Sequence, residues 1–427
     1  MNPRSLFSPI SSAVHEYSIQ LRAFSMNARL YLLNVIIVGA AMGVFRLLFN
    51  FYVLSLGYDE ALLGRLITIS NLTALLAALP MGYLADLLGR KYALLLSGAL
   101  MSASIMGIVL WPSEGTLYGM NVVSGIGQSL GAVSMAPFLM ENSGEKERTY
   151  LFSFSSGLQM AMASVGNWIG GYLPTWIGNT RGVPAISSQA YAGSLMIVSL
   201  TIVVGLIPLI MLRTPRLQLA EKSVFAPIAY ASKNPVLLGK LILPMLITAI
   251  GAGLIMPFMN LFFRQVHGQP DPVIGSLFAW GSLAMGLGLL LAPPLADRMG
   301  KIQFVVVTQS LSIPFLIVLG FSPYFWMSAG AYYIRLTLMN MSSPVYQTFV
   351  MEHVEPPARA TVASLVSMAW NFGWAFSPTL SGYLQVQYGF GPPFLGTIIL
   401  YTISTIMYYI FFLRGKQHQV PDFVPGD

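Results

Sequence analysis

The sequence predicts an all-α membrane protein of twelve transmembrane helices, arranged as two parallel six-helix repeats. Three observations lead there. Of 427 residues, 55% are hydrophobic and only 9% charged, whereas a soluble domain carries about 25% charged residues. The chain therefore lacks the charge to cover a water-facing surface. Apolar stretches of the length a bilayer demands, about 20 residues, recur from end to end. The second half repeats the first at a nearly constant offset.

In order, the first-half spans fall at 30–56, 61–85, 92–111, 116–140, 149–174 and 190–212. The second-half spans fall at 236–264, 272–296, 302–321, 324–350, 360–386 and 393–413. A polar stretch, Pro174 to Gln189, separates the fifth and sixth. Residues 1–29 form a cytoplasmic N-terminal segment, residues 30–212 the first bundle and residues 236–413 the second. Between them, 213–235 is a polar cytoplasmic loop with Pro215, Glu221, Lys222 and Lys233; 414–427 is a cytoplasmic tail. Ser11 to Leu30 mixes polar and apolar residues, and reads either as an amphipathic helix on the membrane surface or as a disordered tail. The N-terminus has no short apolar core followed by a small-residue cleavage site.

Orientation follows from the basic residues. With the N-terminus inside, seventeen of the twenty-two lysines and arginines lie in loops on the N-terminal side. Both termini are then cytoplasmic, and the net charge of +7 reflects topology in a lipid bilayer rather than a nucleic-acid partner. The chain has no cysteine, which excludes disulfides, thiolate metal sites and cysteine nucleophiles.

The repeat is anchored by Gly43-Val-Phe-Arg-Leu-Leu-Phe-Asn50, which returns as Gly253-Leu-Ile-Met-Pro-Phe-Met-Asn260. Glycine and asparagine recur; Arg46 becomes Met256. Beyond one inserted residue the offset is 211, linking Asp86 to Asp297, Glu141 to Glu352, Arg148 to Arg359 and Gly171 to Gly382. An even number of helices separates the copies, so both have the same orientation, a plan known among transporters.

The loop after the second span reads Gly82-Tyr-Leu-Ala-Asp86-Leu-Leu-Gly89-Arg90-Lys91. This resembles the signature of the major facilitator superfamily, G-x-L-x-D-x-x-G-R-K/R, with a weaker echo at Leu295-Ala-Asp297-Arg298-Met-Gly-Lys301. Glycine permits a tight turn and close helix approach, and an acid beside two bases can form a breakable charge cluster. The resemblance implies two bundles around a central cavity, and secondary transport by alternating access, as antiporter or symporter. It also implies a latch between the halves built on Gly82, Asp86, Gly89, Arg90, Lys91, Asp297 and Arg298. It further implies a small-molecule substrate, no cofactor, a monomer and a place in the bacterial cytoplasmic (inner) membrane. Proton-driven drug antiporters of the superfamily are matched in part. Gln128 stands in the fourth span, but Gly125 occupies their arginine position. In the fifth, Asn167 replaces their proline, while its repeat mate is Pro378.

Polar residues at helical spacing mark inward faces. The candidates are Arg46 and Asn50; Asn121 and Gln128; Gln159; Asn260; Tyr332 and Arg335; and Trp370 and Asn371. No aspartate or glutamate lies at a helix centre; Asp59, Glu60, Glu114 and Asp271 sit at the outer rim. An arginine inside the membrane costs about 2.5–3.5 kcal/mol on insertion scales, so Arg46 and Arg335 each need a partner or a polar surrounding. Guanidinium matches carboxylate or phosphate with paired hydrogen bonds, which favours a small organic anion or an amphipathic molecule with an acidic headgroup. Organic-phosphate antiporters of the superfamily also use a first-helix arginine, paired with one on the seventh helix, where this chain has Met256. Each arginine also has a structural reading: Arg46 bonded to carbonyls at a broken helix, Arg335 snorkelling or paired with an exposed carboxylate. If both are structural, the alternative is a proton-coupled drug or metabolite exporter with an aromatic and methionine-lined cavity. An enzyme is not expected, since there is no metal-ligand cluster, nucleophile elbow or P-loop.

Overall fold

The structure, a computed structural model, describes residues 24–213, 235–354 and 359–414. The central loop and the C-terminal tail, but for their end residues, and residues 11–23 of the proposed surface helix lie outside these residues. Among the described residues thirteen α-helices follow one another: α1 (Met26–Ser55), α2 (Glu60–Leu88), α3 (Arg90–Leu110), α4 (Glu114–Glu141), α5 (Glu145–Arg181), α6 (Ser188–Ile210), α7 (Pro235–Ile255), α8 (Met259–Gln265), α9 (Asp271–Met299), α10 (Lys301–Phe321), α11 (Phe325–Glu352), α12 (Arg359–Tyr388) and α13 (Gly391–Tyr408). Every expected span coincides with a helix. Nine spans are, among the described residues, long and apolar enough to cross a membrane. The three remaining long helices, α5, α11 and α12, are more polar and carry Gln159, Arg335 and Asn371.

Two boundaries differ from expectation. Helix α5 runs through Pro174 to Arg181 and ends at Gly182, whose φ of 68° sets a left-handed cap. A membrane helix tolerates an internal proline because neighbouring groups re-satisfy the freed carbonyl, so the expected loop from Pro174 shrinks to the few residues before α6. The seventh span is broken into α7 and α8 by a 3₁₀ turn, Met256–Phe258. Pro257 lacks an N–H and crowds the carbonyl four residues back, and its repeat counterpart in the unbroken α1 is Leu47.

Among the described residues two compact units form, one within Met1–Tyr52 and Leu76–Ala220, the other within Val53–Leu75 and Glu221–Asp427. In the first, α1 packs backbone to backbone on α5: a Cβ added at Gly43 would lie 2.4 Å from the Ala163 carbonyl oxygen. Serine hydroxyls tie the other helices, Ser97 donating to Gly127 O at 2.8 Å and Ser104 to Met120 O at 2.8 Å. Asn34 donates to Gly205 O at 2.7 Å.

In the second unit the same contact recurs. A Cβ at Gly253 would meet Ser377 Cβ at 2.8 Å, so the repeated glycine admits the fifth and eleventh spans alike. The outer half of α2 joins this unit against α12. A Cβ at Gly64 would lie 2.3 Å from Pro378 O, and one at Gly382 2.1 Å from Glu60 O. Thr379 Oγ1 donates to Thr68 Oγ1 at 2.8 Å, and Asn71 to Trp374 O at 3.2 Å.

Candidate functional site

In the first unit Arg46 is exposed, although it sits near the middle of the apolar α1. No hydrogen bond or ion pair engages it among the described residues. Its depth can be fixed by register. Tyr31 meets Phe138 with ring centroids 5.2 Å apart, and Asn27 donates to Asn142 at 2.8 Å. Helices α1 and α4 run in opposite directions at 1.5 Å per residue, so Arg46 lies about level with Val123. Ser124 is then at about the same depth, and the exposed Gln128, about one turn further along α4, donates to Ser124 Oγ at 3.1 Å. Gln159 on α5 is also exposed. Asn121 is buried and donates to its own helix at Leu117 O, so it contributes scaffold rather than an open amide. Asn50, one turn beyond Arg46, is buried and partnered.

In the second unit Arg335 is 2% exposed. It neither snorkels nor meets a carboxylate. Its Nη2 donates to Tyr401 Oη at 2.7 Å, its Nη1 lies 2.9 Å from Met256 Sδ, and the guanidinium carbon is 5.5 Å from the Tyr401 ring centroid. Nε has no hydrogen-bond partner among the described residues. Tyr332, one turn away and buried, stacks on Phe278 at 5.7 Å. Asn260 is buried, its Oδ1 accepting from Leu261 N–H at 3.0 Å. Trp370 and Asn371 are exposed on α12. Of the ten candidate ligand contacts, Arg46, Gln128, Gln159, Trp370 and Asn371 are thus exposed, Gln128 with protein partners of its own, whereas Asn50, Asn121, Asn260, Tyr332 and Arg335 are buried. Polarity alone could not separate them.

The charged rim is closed within each unit. Arg90 pairs with Asp86 at 2.6 Å and with Glu141 at 3.3 Å. The second unit repeats the longer link as Lys301 with Glu352, both members shifted by 211. Sequence reasoning aligned the two glutamates without assigning them this role, although the paired offsets signal it. Lys91 instead donates to Ile210 O and Leu212 O, capping α6. Asp297 and Arg298 are exposed and form no ion pair among the described residues. Gly89 and Gly300 each have φ of 87°, the left-handed turn the motif requires. Gly82 lies within α2 with nothing near its missing Cβ, so no close helix approach uses it here. Asp271, at the start of α9, is 6% exposed and paired with Arg264.

A family model described as Major Facilitator Superfamily matches residues 31–355 and 241–425. Curated relatives include the multidrug resistance protein MdtG of Dickeya zeae (strain Ech586), 24% identical over 194 residues, and that of Proteus mirabilis (strain HI4320), 24% over 201. These matches take in 44% and 45% of this chain and 47% and 48% of the relatives, so the likeness spans about half of each. Among solved structures, the nucleoside transporter NupG superposes with a TM-score of 0.74 at 15% identity, covering 92% of this chain and 99% of that one. An inward-facing, unoccupied bacterial homolog of the human lysosomal transporter Spinster gives 0.73 at 17%, covering 92% and 96%. With the family model spanning the chain and the fold shared with these structures, the protein belongs to the Major Facilitator Superfamily and is a membrane transporter rather than an enzyme.

Proposed function

We propose that the protein is a secondary transporter working by alternating access, and that it moves a small organic anion or an amphipathic molecule with an acidic headgroup. Arg46 carries this reading. A guanidinium stays protonated at any physiological pH, and at that depth it is stable only where it meets water or an anion. Arg46 is exposed and has no protein partner among the described residues. The exposed amide of Gln159 in the same unit adds a donor suited to carboxylate or phosphate oxygens. The basic-residue asymmetry supports a protein with both termini in the cytoplasm, in the bacterial inner membrane.

A second reading is a proton-coupled exporter of drugs or metabolites. Two observations favour it: the relatives are named multidrug resistance proteins, and α12 exposes Met368, Trp370, Phe372 and Phe376. A thermal-shift screen of the purified protein against anionic, cationic and neutral solutes separates the two. Anions should stabilise the wild type and lose their effect in Arg46→Ala. Stabilisation by cationic or neutral amphiphiles, unchanged in Arg46→Ala, would overturn the anion reading in favour of the exporter.

A further inference from the structure

Among the described residues Asp271 is the one buried carboxylate. It opens α9, and its carboxylate pairs with the Arg264 guanidinium of α8, which is itself 25% exposed. The turn between them carries His267, whose ring lies 5.3 Å from Phe262, 5.9 Å from Phe263 and 6.1 Å from Phe325. Burial holds the His267 imidazole below its ordinary pKa, so it is neutral at neutral pH and offers Asp271 no second cation. Glu60 of α2, bound by Gln265 at 2.5 Å, and Tyr332 of α11, which packs on Phe263 with Arg335 behind it, also stand near this corner. Phe390, just before α13, and Phe394 within it pack on Phe262, and the opening turns of α9 hold no other charge. Helix α8 is a seven-residue piece joined to α7 through the Pro257 turn. The ion pair therefore clips a separately hinged element to α9.

We infer that Asp271 is a proton-binding site of this transporter, which exchanges its ion pair with Arg264 for a proton as α8 moves away from α9. The proton comes from water and adds to a carboxylate oxygen, while Arg264 keeps its charge and turns to solvent. A buried carboxylate is tolerated when paired and disfavoured when its partner leaves. The N-terminal dipole of α9 favours the charged form, but its effect is the smaller of the two. This supplies a coupling ion for the secondary transport proposed above and rests on that reading for its use. The proton site itself is independent of the substrate.

Infrared spectroscopy of the membrane-reconstituted protein during a pH titration reads it directly. Acidification should raise the carbonyl stretch of a buried protonated carboxyl in the wild type. Asp271→Asn should lack that band, and His267→Gln should keep it. Arg264→Gln, which leaves the carboxylate intact should Asn fail to fold, should show the band with a proton affinity raised about tenfold or more. A band that survives Asp271→Asn, disappears with His267→Gln, or ignores Arg264→Gln would overturn the inference. Failure of the solute screen would sink the anion reading and leave these bands untouched.

Discussion

Arg335 reaches from α11 to Met256 in the 3₁₀ turn, placing Nη1 2.9 Å from the thioether sulfur. Met256 stands where the repeat places Arg46. The second unit thus has a guanidinium beside the position that is arginine in the first, delivered from another helix. The delivery changes its chemistry. Arg46 is exposed and unengaged among the described residues, whereas Arg335 is buried against Met256 and Tyr401.

Because Arg46 makes no hydrogen bond or ion pair among the described residues, Arg46→Ala should change stability by no more than about 0.5 kcal/mol. Solute-dependent stabilisation and transport should vanish together, and Arg46→Lys should restore only part, since an ammonium cannot bind bidentately. Measuring Tm with and without solute, alongside vesicle uptake, checks both halves. Full activity in Arg46→Ala would end the case for this residue.

Arg335 should behave in the opposite way. Arg335→Ala strips the buried Tyr401 hydroxyl of a charge-assisted hydrogen bond, a loss of about 1.5–3 kcal/mol, visible as a lowered Tm without any solute. Arg335→Met should be milder or even stabilising, because an apolar side chain of similar length removes a buried charge. An Arg335→Ala protein as stable as the wild type would show that the burial is not structural.

Gly43→Ala should cost about 1–3 kcal/mol by overpacking, since the new methyl would meet a backbone carbonyl at 2.4 Å rather than a movable side chain. Gly253→Ala should cost a similar amount, because the Ser377 Cβ it would meet at 2.8 Å is fixed to the backbone and cannot rotate away. Gly82→Ala is the control: nothing lies near its Cβ position, so Tm should hold. A loss of transport in stable Gly82→Ala would place its role in another conformation.

The Arg90–Glu141 and Lys301–Glu352 links are half-exposed and worth about 0.2–1 kcal/mol each, so Glu141→Gln should barely move Tm. Asp86→Asn frees Arg90 from its shorter contact and should shift the conformational balance. The absence of native cysteines allows this to be read by labelling single introduced cysteines. Unaltered labelling in Asp86→Asn would leave the cluster without a conformational role.

The folded protein holds the His267 pKa below its ordinary value through burial, so the unfolded chain binds that proton at a higher pH. Stability should therefore fall as pH drops through the histidine range and be unaffected above it. In His267→Phe that part of the Tm–pH slope should disappear; an identical slope would assign the acid sensitivity elsewhere.

Low charge and recurrent apolar runs were enough to predict twelve helices, because a bilayer admits few other architectures. The repeat located equivalent positions, and the paired glycines at 43 and 253 prove to serve equivalent helix contacts. The rim pairs were missed, although Arg90 and Glu141 return as Lys301 and Glu352 at one offset. Polar side chains within the spans were harder to sort. Asn50, Asn121, Gln128 and Arg335 look alike as polar residues in apolar helices, and their roles depend on which neighbours satisfy them. Only the packing revealed that Arg335 is enclosed by Tyr401 and Met256, from helices far apart in the chain. Packing likewise buried Asp271, which its place at a helix end had marked as a rim acid. Hydropathy and spacing report the solvent a helix requires, whereas burial and hydrogen bonding depend on which helices meet. That is decided by tertiary contacts such as the Gly43 and Gly253 crossings and the break at Pro257.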